Sequence, residues 1–177
     1  MAAVSLRSDY SRQVCAPYLG VMGHGGFILA IDKIDWHGGA DNFPEELPYE
    51  AGGTHIGMFL AWIIDHGLVG QVHIENASES ITLVKQRKMT GVGFLINECD
   101  GKFWEQNLND EGLAFAKFYY ESNRYLEDYE TALGNNDETL YHIRDTWSNF
   151  DKVAPYISKA FSSWKNPIQP KWWKFWS

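Results

Sequence analysis

The sequence predicts a mainly α-helical, single-domain bundle of about six helices, with irregular N-terminal segments and room for a small β element. Three observations carry this expectation. The run HIGMFLAWIIDH at 55–66 is apolar on nearly every face, as a helix buried among others must be. From Leu140 to Trp164 apolar residues recur at alternating spacings of three and four. Between these, short apolar segments are bounded by capping residues and glycines. The 177-residue chain is 45% hydrophobic and 15% aromatic, enough for a real core and far from the composition of disorder. Residues 1–166 are expected to form the domain and residues 167–177 a basic aromatic tail.

Taken in order, residues 17–31 (PYLGVMGHGGFILAI) mix apolar residues with four glycines and suit a short strand or an irregular buried segment. In the following loop, Gly38-Gly39, Pro44, Pro48 and Gly52-Gly53 punctuate the backbone too often for a helix. Thr54 is placed to cap the central helix, and Gly67 to end it. Asn76 with Glu79 has the spacing of a capping box for a helix over about 77–89. The run GFLINEC at 93–99 reads as helical before an Asp100-Gly101 turn, and Asn109-Asp110-Glu111 opens another helix with a cap and favourable charge. Tyr125 to Leu133 forms one more, stopped by Gly134. The stripe Leu140, Ile143, Trp147, Phe150, Ala154, Ile157, Phe161, Trp164 defines the last helix, with Pro155 expected to kink or break it. Packing within the bundle is the favoured use of that stripe, ahead of an intermolecular coiled coil.

Charge excludes some partners. Residues 1–151 hold all 23 acids and 10 of the 15 bases, whereas the last 26 residues carry five bases and no acid. An acidic body repels phosphate backbones, so direct nucleic-acid binding is disfavoured, and it attracts basic proteins. The N-terminal MAAVSLRSDYSRQVC has no continuous apolar segment, so no secretory signal is expected and cytoplasmic residence is the default. No apolar stretch is long enough for a membrane helix. Cys15 and Cys99 are read as two thiols rather than a disulfide. The tail KNPIQPKWWKFWS is too short to anchor firmly in a membrane, and Trp172, Trp173 and Trp176 are expected to fold back onto the acidic body.

The densest stretch is Ile31–Trp62, IDKIDWHGGADNFPEELPYEAGGTHIGMFLAW, an acidic loop set against the apolar helix. It resembles the signature of an uncharacterised family of small bacterial proteins with a DKxDWHxGG…DFPEELPxExGGTHIGMFLAW pattern, and the similarity runs to about residue 133. The resemblance implies no chemistry of its own.

Asp32, Asp35, His37, Asp41, Glu45, Glu46, Glu50 and His55 raise the question of a metal or acid–base site, yet their spacing matches no metal-ligand motif. No metal or cofactor is therefore expected, and melting should be indifferent to chelators. His55 is expected to bond loop backbone at the start of its helix, and His66 to sit at that helix's C-terminal dipole. No GxSxG elbow, cysteine signature or complete phosphate loop occurs, and no catalytic residue is assigned. Trp36 is expected to fold inward more readily than to serve as an exposed anchor, with Phe43 and Leu47 inward and Glu45 and Glu46 in water.

The function expected is protein binding. Small size, acidity and the resemblance to a family of the kind that accompanies toxins point, by analogy, to an antitoxin-like immunity protein. Its partner would be a basic, nuclease-like toxin encoded by an adjacent gene. Asp35, Trp36, His37, Asp41, Glu45 and Glu46 are the first candidate contacts, and Glu121, Glu127, Asp128 and Glu130 the second. The rivals are a metal-dependent hydrolase using Asp35, His37 and His55, and an oligomeric scaffold using the last helix.

Overall fold

The computed structural model describes residues 19–22, 26–134 and 139–167. They form a mainly helical protein with a small antiparallel sheet. Strands β1 (Leu19–Met22) and β2 (Gly26–Lys33) make the hairpin that the glycine-rich segment allowed, and β3 (Lys102–Trp104) joins β2 on its other edge in the order β1-β2-β3. Eight α-helices occur among the described residues: α1 (Ile34–Gly38), α2 (Thr54–Asp65), α3 (Gln71–Asn76), α4 (Ser78–Lys85), α5 (Gly91–Cys99), α6 (Asp110–Tyr119), α7 (Arg124–Leu133) and α8 (Trp147–Lys165).

Helix α2 is the centre of the molecule, buried from Thr54 to Ile64. It takes α4, α5 and α8 against its sides, which explains why no face of it is polar. The Phe59 ring lies 4.9–6.1 Å from the rings of Phe103, Phe115, Tyr120 and Tyr125, so the sheet and α6–α7 meet on one aromatic side chain. Asn109 and Thr90 cap α6 and α5 by accepting the Gly112 and Gly93 amides. Helix α5 ends where Asp100 and Gly101 turn left-handed, at φ 53° and 68°, and α2 ends before Gly67 at φ 68°.

Several expectations are corrected. A short helix, α1, does form at the start of the punctuated loop, because Ile34, Asp35, Trp36 and His37 precede the first glycine pair and close one turn. Thr54 does not cap α2. A 3₁₀ turn at Tyr49–Gly53 runs directly into the helix and makes Thr54 its first residue. Asn76 does not open a capping box either, since it ends α3 with its side chain bonded back to the Val72 carbonyl, and α4 begins after Ala77.

The last helix starts at Trp147, not Leu140. Leu140 and Ile143 pack on the core from a 3₁₀ turn and its flank. Helix α8 also runs through Pro155 unbroken, for Pro155 and Asp151 are exposed and water can take the freed carbonyl. The stripe packs against the core, with Phe150 and Ile157 buried and its other members half-buried, and Val153 beside it is buried too. Phe161 lies 4.9 Å from Phe115, and the Trp62 indole donates to Ser158 Oγ at 2.9 Å. Phe150→Ala is therefore expected to cost about 3–5 kcal/mol in chemical denaturation. Phe161→Ala should cost less, because that ring is only half-buried. Wild-type stability in Phe150→Ala would mean that the stripe does not pack here.

Among the described residues no helix is long and apolar enough to cross a membrane. The tail tryptophans and Cys15 lie outside the described residues, and Cys99 is a buried free thiol.

Candidate functional site

The loop between β2 and α2 is built on a buried carboxylate. Strand β2 carries a bulge between Ala30 and Asp32, opposite Trp104 and Phe103 of β3. Beyond it the usual alternation of faces is lost: Ala30, Ile31, Asp32, Lys33 and Ile34 are all buried, and Asp32 is 0% exposed. Because α1 follows β2 without a spacer, His37 turns back over Asp32 and places Nε2 2.8 Å from Oδ1. His55, the second residue of α2, brings its Nε2 to 3.1 Å from Oδ2. Tyr120, at the end of α6, donates its hydroxyl to Oδ2 at 2.6 Å, and the Lys33 amide donates to Oδ1 at 2.7 Å.

Four donors thus converge on the two carboxylate oxygens, which have about four acceptor positions between them. The two imidazoles meet edge to face with centroids 4.5 Å apart. Burial by itself would raise the Asp32 carboxyl, but the charge and hydrogen bonds of His37 and His55 outweigh it and hold the group well below the usual carboxylate range. Burial and the neighbouring His37 push His55 down, against its bond to Asp32. Tyr141 Oη lies 3.5 Å from His37 Nδ1, and Tyr125 donates to the His55 carbonyl at 2.7 Å.

This clamp fixes an acidic loop. Tight backbone turns follow one another along it, with Ala40 bonded to His37, Phe43 to Ala40, Leu47 to Pro44 and Ala51 to Pro48, all at 2.9–3.1 Å. At its far end Gly52 and Gly53 press against α1. A Cβ on Gly52 would stand 3.0 Å from His37 Cβ, and one on Gly53 2.8 Å from Ile34 Cδ1. The carboxylates face outward: Asp35, Asp41, Glu45, Glu46 and Glu50 are exposed, with Asp35 accepting the Tyr49 hydroxyl and Glu46 lying 3.4 Å from His142. From Ile34 to Val84 the chain has eight carboxylates and no Lys or Arg. Phe43 and Leu47 are half-buried, and Phe43 packs 4.9 Å from Tyr141.

Trp36 is half-buried, with the buried Lys33 ammonium 5.1 Å from its ring and 5.3 Å from that of Trp104. His37 is buried and belongs to the clamp, not to the exposed surface. His55 bonds Asp32 instead of loop backbone, a correction that follows from β2 running past the start of α2. His66 does serve the C-terminus of α2, with Nδ1 2.8 Å from the Trp62 carbonyl. Of the second candidate set, Glu121, Glu127 and Glu130 are exposed, while Asp128 is half-buried and accepts the Tyr119 hydroxyl at 2.8 Å.

A second polar cluster escaped the sequence reading. His73 of α3, Cys99 of α5 and Asn107 line a groove of about 400 Å³. The residue types are those of a cysteine nucleophile with its base and orienting amide, but the geometry is not. Asn107 Oδ1 takes the Trp104 amide at 2.5 Å, so its Nδ2 donates to His73 Nε2 at 2.8 Å, the same nitrogen that Cys99 Sγ approaches at 3.6 Å. A base needs one nitrogen for the nucleophile and the other for its orienter. Burial also pushes the Cys99 thiol up to about 12, which keeps it protonated.

Fold and site together define a small helical protein in which a buried Asp–His–His–Tyr clamp holds an exposed acidic loop. The chain belongs to the family described as a domain of unknown function, DUF7832, whose model matches residues 30–143 and so includes the clamp. No curated protein and no solved structure matches it.

Proposed function

We propose that this protein binds a basic protein partner through the loop at 35–50, in the manner of an immunity protein that neutralises a toxin in the cytoplasm. The observation that supports the reading best is the pairing of exposed Asp35, Asp41, Glu45, Glu46 and Glu50 with a backbone already held in successive turns. A carboxylate surface held in place before the partner arrives loses little entropy on association, and its charge selects cationic partners. Glu121, Glu127 and Glu130 form a second acidic surface for the same partner.

The test is a mixing experiment with the product of an adjacent gene. A one-to-one complex should survive gel filtration, and coexpression should protect cells from a toxic neighbour. Exchanging Glu45 and Glu46 for lysine should abolish that protection while leaving the melting temperature within a few degrees, because both side chains face solvent. A toxic neighbour that is neither bound nor neutralised contradicts the reading.

The hydrolase reading retains one favourable observation: His37 and His55 do converge on a carboxylate, although it belongs to Asp32 and not to Asp35. With Asp32 at 0%, His37 at 4% and His55 at 5% exposure, a substrate would need the clamp to open before it could reach them. The α8 stripe packs against the protein's own core, an observation that favours the binding reading over an oligomeric scaffold.

A further inference from the structure

We infer that Asp32, His37 and His55 form a binding site for one divalent transition-metal ion of the zinc class. This inference is independent of the partner proposed above. One ligand atom from each residue can be chosen so that all lie within 4.8 Å of one another, and the three side chains are buried. They come from three separate segments, β2, α1 and the start of α2, so their convergence is a product of the tertiary fold.

The distances suit the assignment. Metal bonds of about 2.0–2.2 Å place neighbouring ligand atoms roughly 2.9–3.5 Å apart, depending on coordination geometry. His37 Nε2 lies 2.8 Å from Asp32 Oδ1 and His55 Nε2 3.1 Å from Asp32 Oδ2, each close to that range, and because the two rings address different oxygens an ion shared by both draws the three side chains together around one carboxylate. Both imidazoles present Nε2 to the carboxylate, and an ion between them would take the positions that the two Nε2 protons occupy in a metal-free clamp. Each neutral ring then keeps its single proton on Nδ1, and for His37 the Tyr141 oxygen stands 3.5 Å from that atom as an outer acceptor. The Tyr120 hydroxyl continues to hold Oδ2 and so fixes the carboxylate.

The donor set selects the class of ion. Two imidazole nitrogens and one carboxylate oxygen suit zinc and its transition-metal neighbours, whereas magnesium and calcium favour all-oxygen sites. The burial of the three ligands makes the site structural, a cross-link that ties the loop's first turn to the central helix. Sequence spacing could not show this, because these residues match no metal-ligand motif, and the neighbouring carboxylate of Asp35 faces solvent.

The experiment is metal analysis of the untagged full chain after incubation with zinc and gel filtration, repeated with cobalt to read the visible spectrum. The expected result is one equivalent of zinc per chain and a cobalt spectrum of low coordination number. Both should be lost in His37→Gln and His55→Gln but kept in His66→Gln, which lies outside the cluster. Wild-type protein retaining no zinc, or equal zinc and the same cobalt spectrum in the cluster variants, overturns the proposal. Should those variants fail to fold, X-ray absorption of the zinc-loaded wild type decides: a nitrogen and oxygen shell with two imidazoles supports the site, and a sulfur ligand or absent zinc refutes it.

Discussion

Asp32→Ala is expected to destabilise the protein by about 3–5 kcal/mol, since it removes the acceptor from four buried donors at once. The His37 and His55 rings, the Tyr120 hydroxyl and the Lys33 amide all lose their partner in a place water does not reach. The loss exceeds that of an ordinary surface ion pair because the desolvation of each donor is no longer compensated. Urea denaturation measures it. Hydrogen exchange locates it, and faster exchange should concentrate in the turns at 40–51 that the clamp holds. Asp32→Asn, which keeps an acceptor but points an NH₂ at another donor, should fall between wild type and Ala. A variant as stable as wild type would show that the four bonds are not made.

Gly91→Ala should be comparably damaging, for a different reason. A Cβ at Gly91 would lie 1.7 Å from the Gly57 carbonyl oxygen, and one at Gly57 would lie 2.4 Å from the Val92 amide nitrogen. Helices α2 and α5 therefore meet backbone to backbone, and no rotamer change can make room for the methyl. Either the helices separate along the most buried element of the core or α5 loses its first turn. A cost of about 3 kcal/mol or more follows, at the upper end of overpacking. Gly93→Ala is the control. It lies in the same helix, but its Cβ would meet only side-chain atoms, Met89 Cγ at 3.1 Å and Thr90 Oγ1 at 3.5 Å, and no backbone. Its change should stay within about 1 kcal/mol, with part of any strain offset by the better helix propensity of alanine. Equal effects at the two positions would contradict the close crossing.

Much of the helical frame was legible because it depends on local signals. The apolar run that became α2, the Asn109 cap and the Asp100-Gly101 turn each act over a few residues and appear where the sequence places them, and the last helix follows its stripe from Trp147 onward. The failures have a common cause. Asn76 and Thr54 carry good capping chemistry, but packing of the neighbouring turns decided where their helices began. Strand β3 is only three residues long, Lys102–Trp104, and exists because β2 offers it an edge.

The clamp was half legible. His37 and His55 stand out as titratable residues in the signature stretch, and Asp32 and Asp35 lie together there with nothing local to show which carboxylate the histidines meet. What decides between them is the bulge in β2, which turns Asp32 into the core, and the start of α1, which turns Asp35 out. Tyr120 lies 88 residues from Asp32 and Tyr141 lies 104 from His37, separations that no local pattern connects. The signal that sequence could have offered is the pair Asp32 and His37, five residues apart across a strand-to-helix junction.

The central claim, that a pre-formed acidic loop recruits a basic partner, is tested most directly by the rate of association with the adjacent gene's product as ionic strength is varied. For the wild type the rate should fall steeply with added salt, since steering between exposed charges is screened over about 10 Å at 0.1 M. Replacing Asp41, Glu45 and Glu46 by lysine should slow association at low salt by at least tenfold and flatten or invert that dependence, with dissociation less affected. Association as fast and as salt-sensitive as in the wild type would place the contact elsewhere and contradict the account.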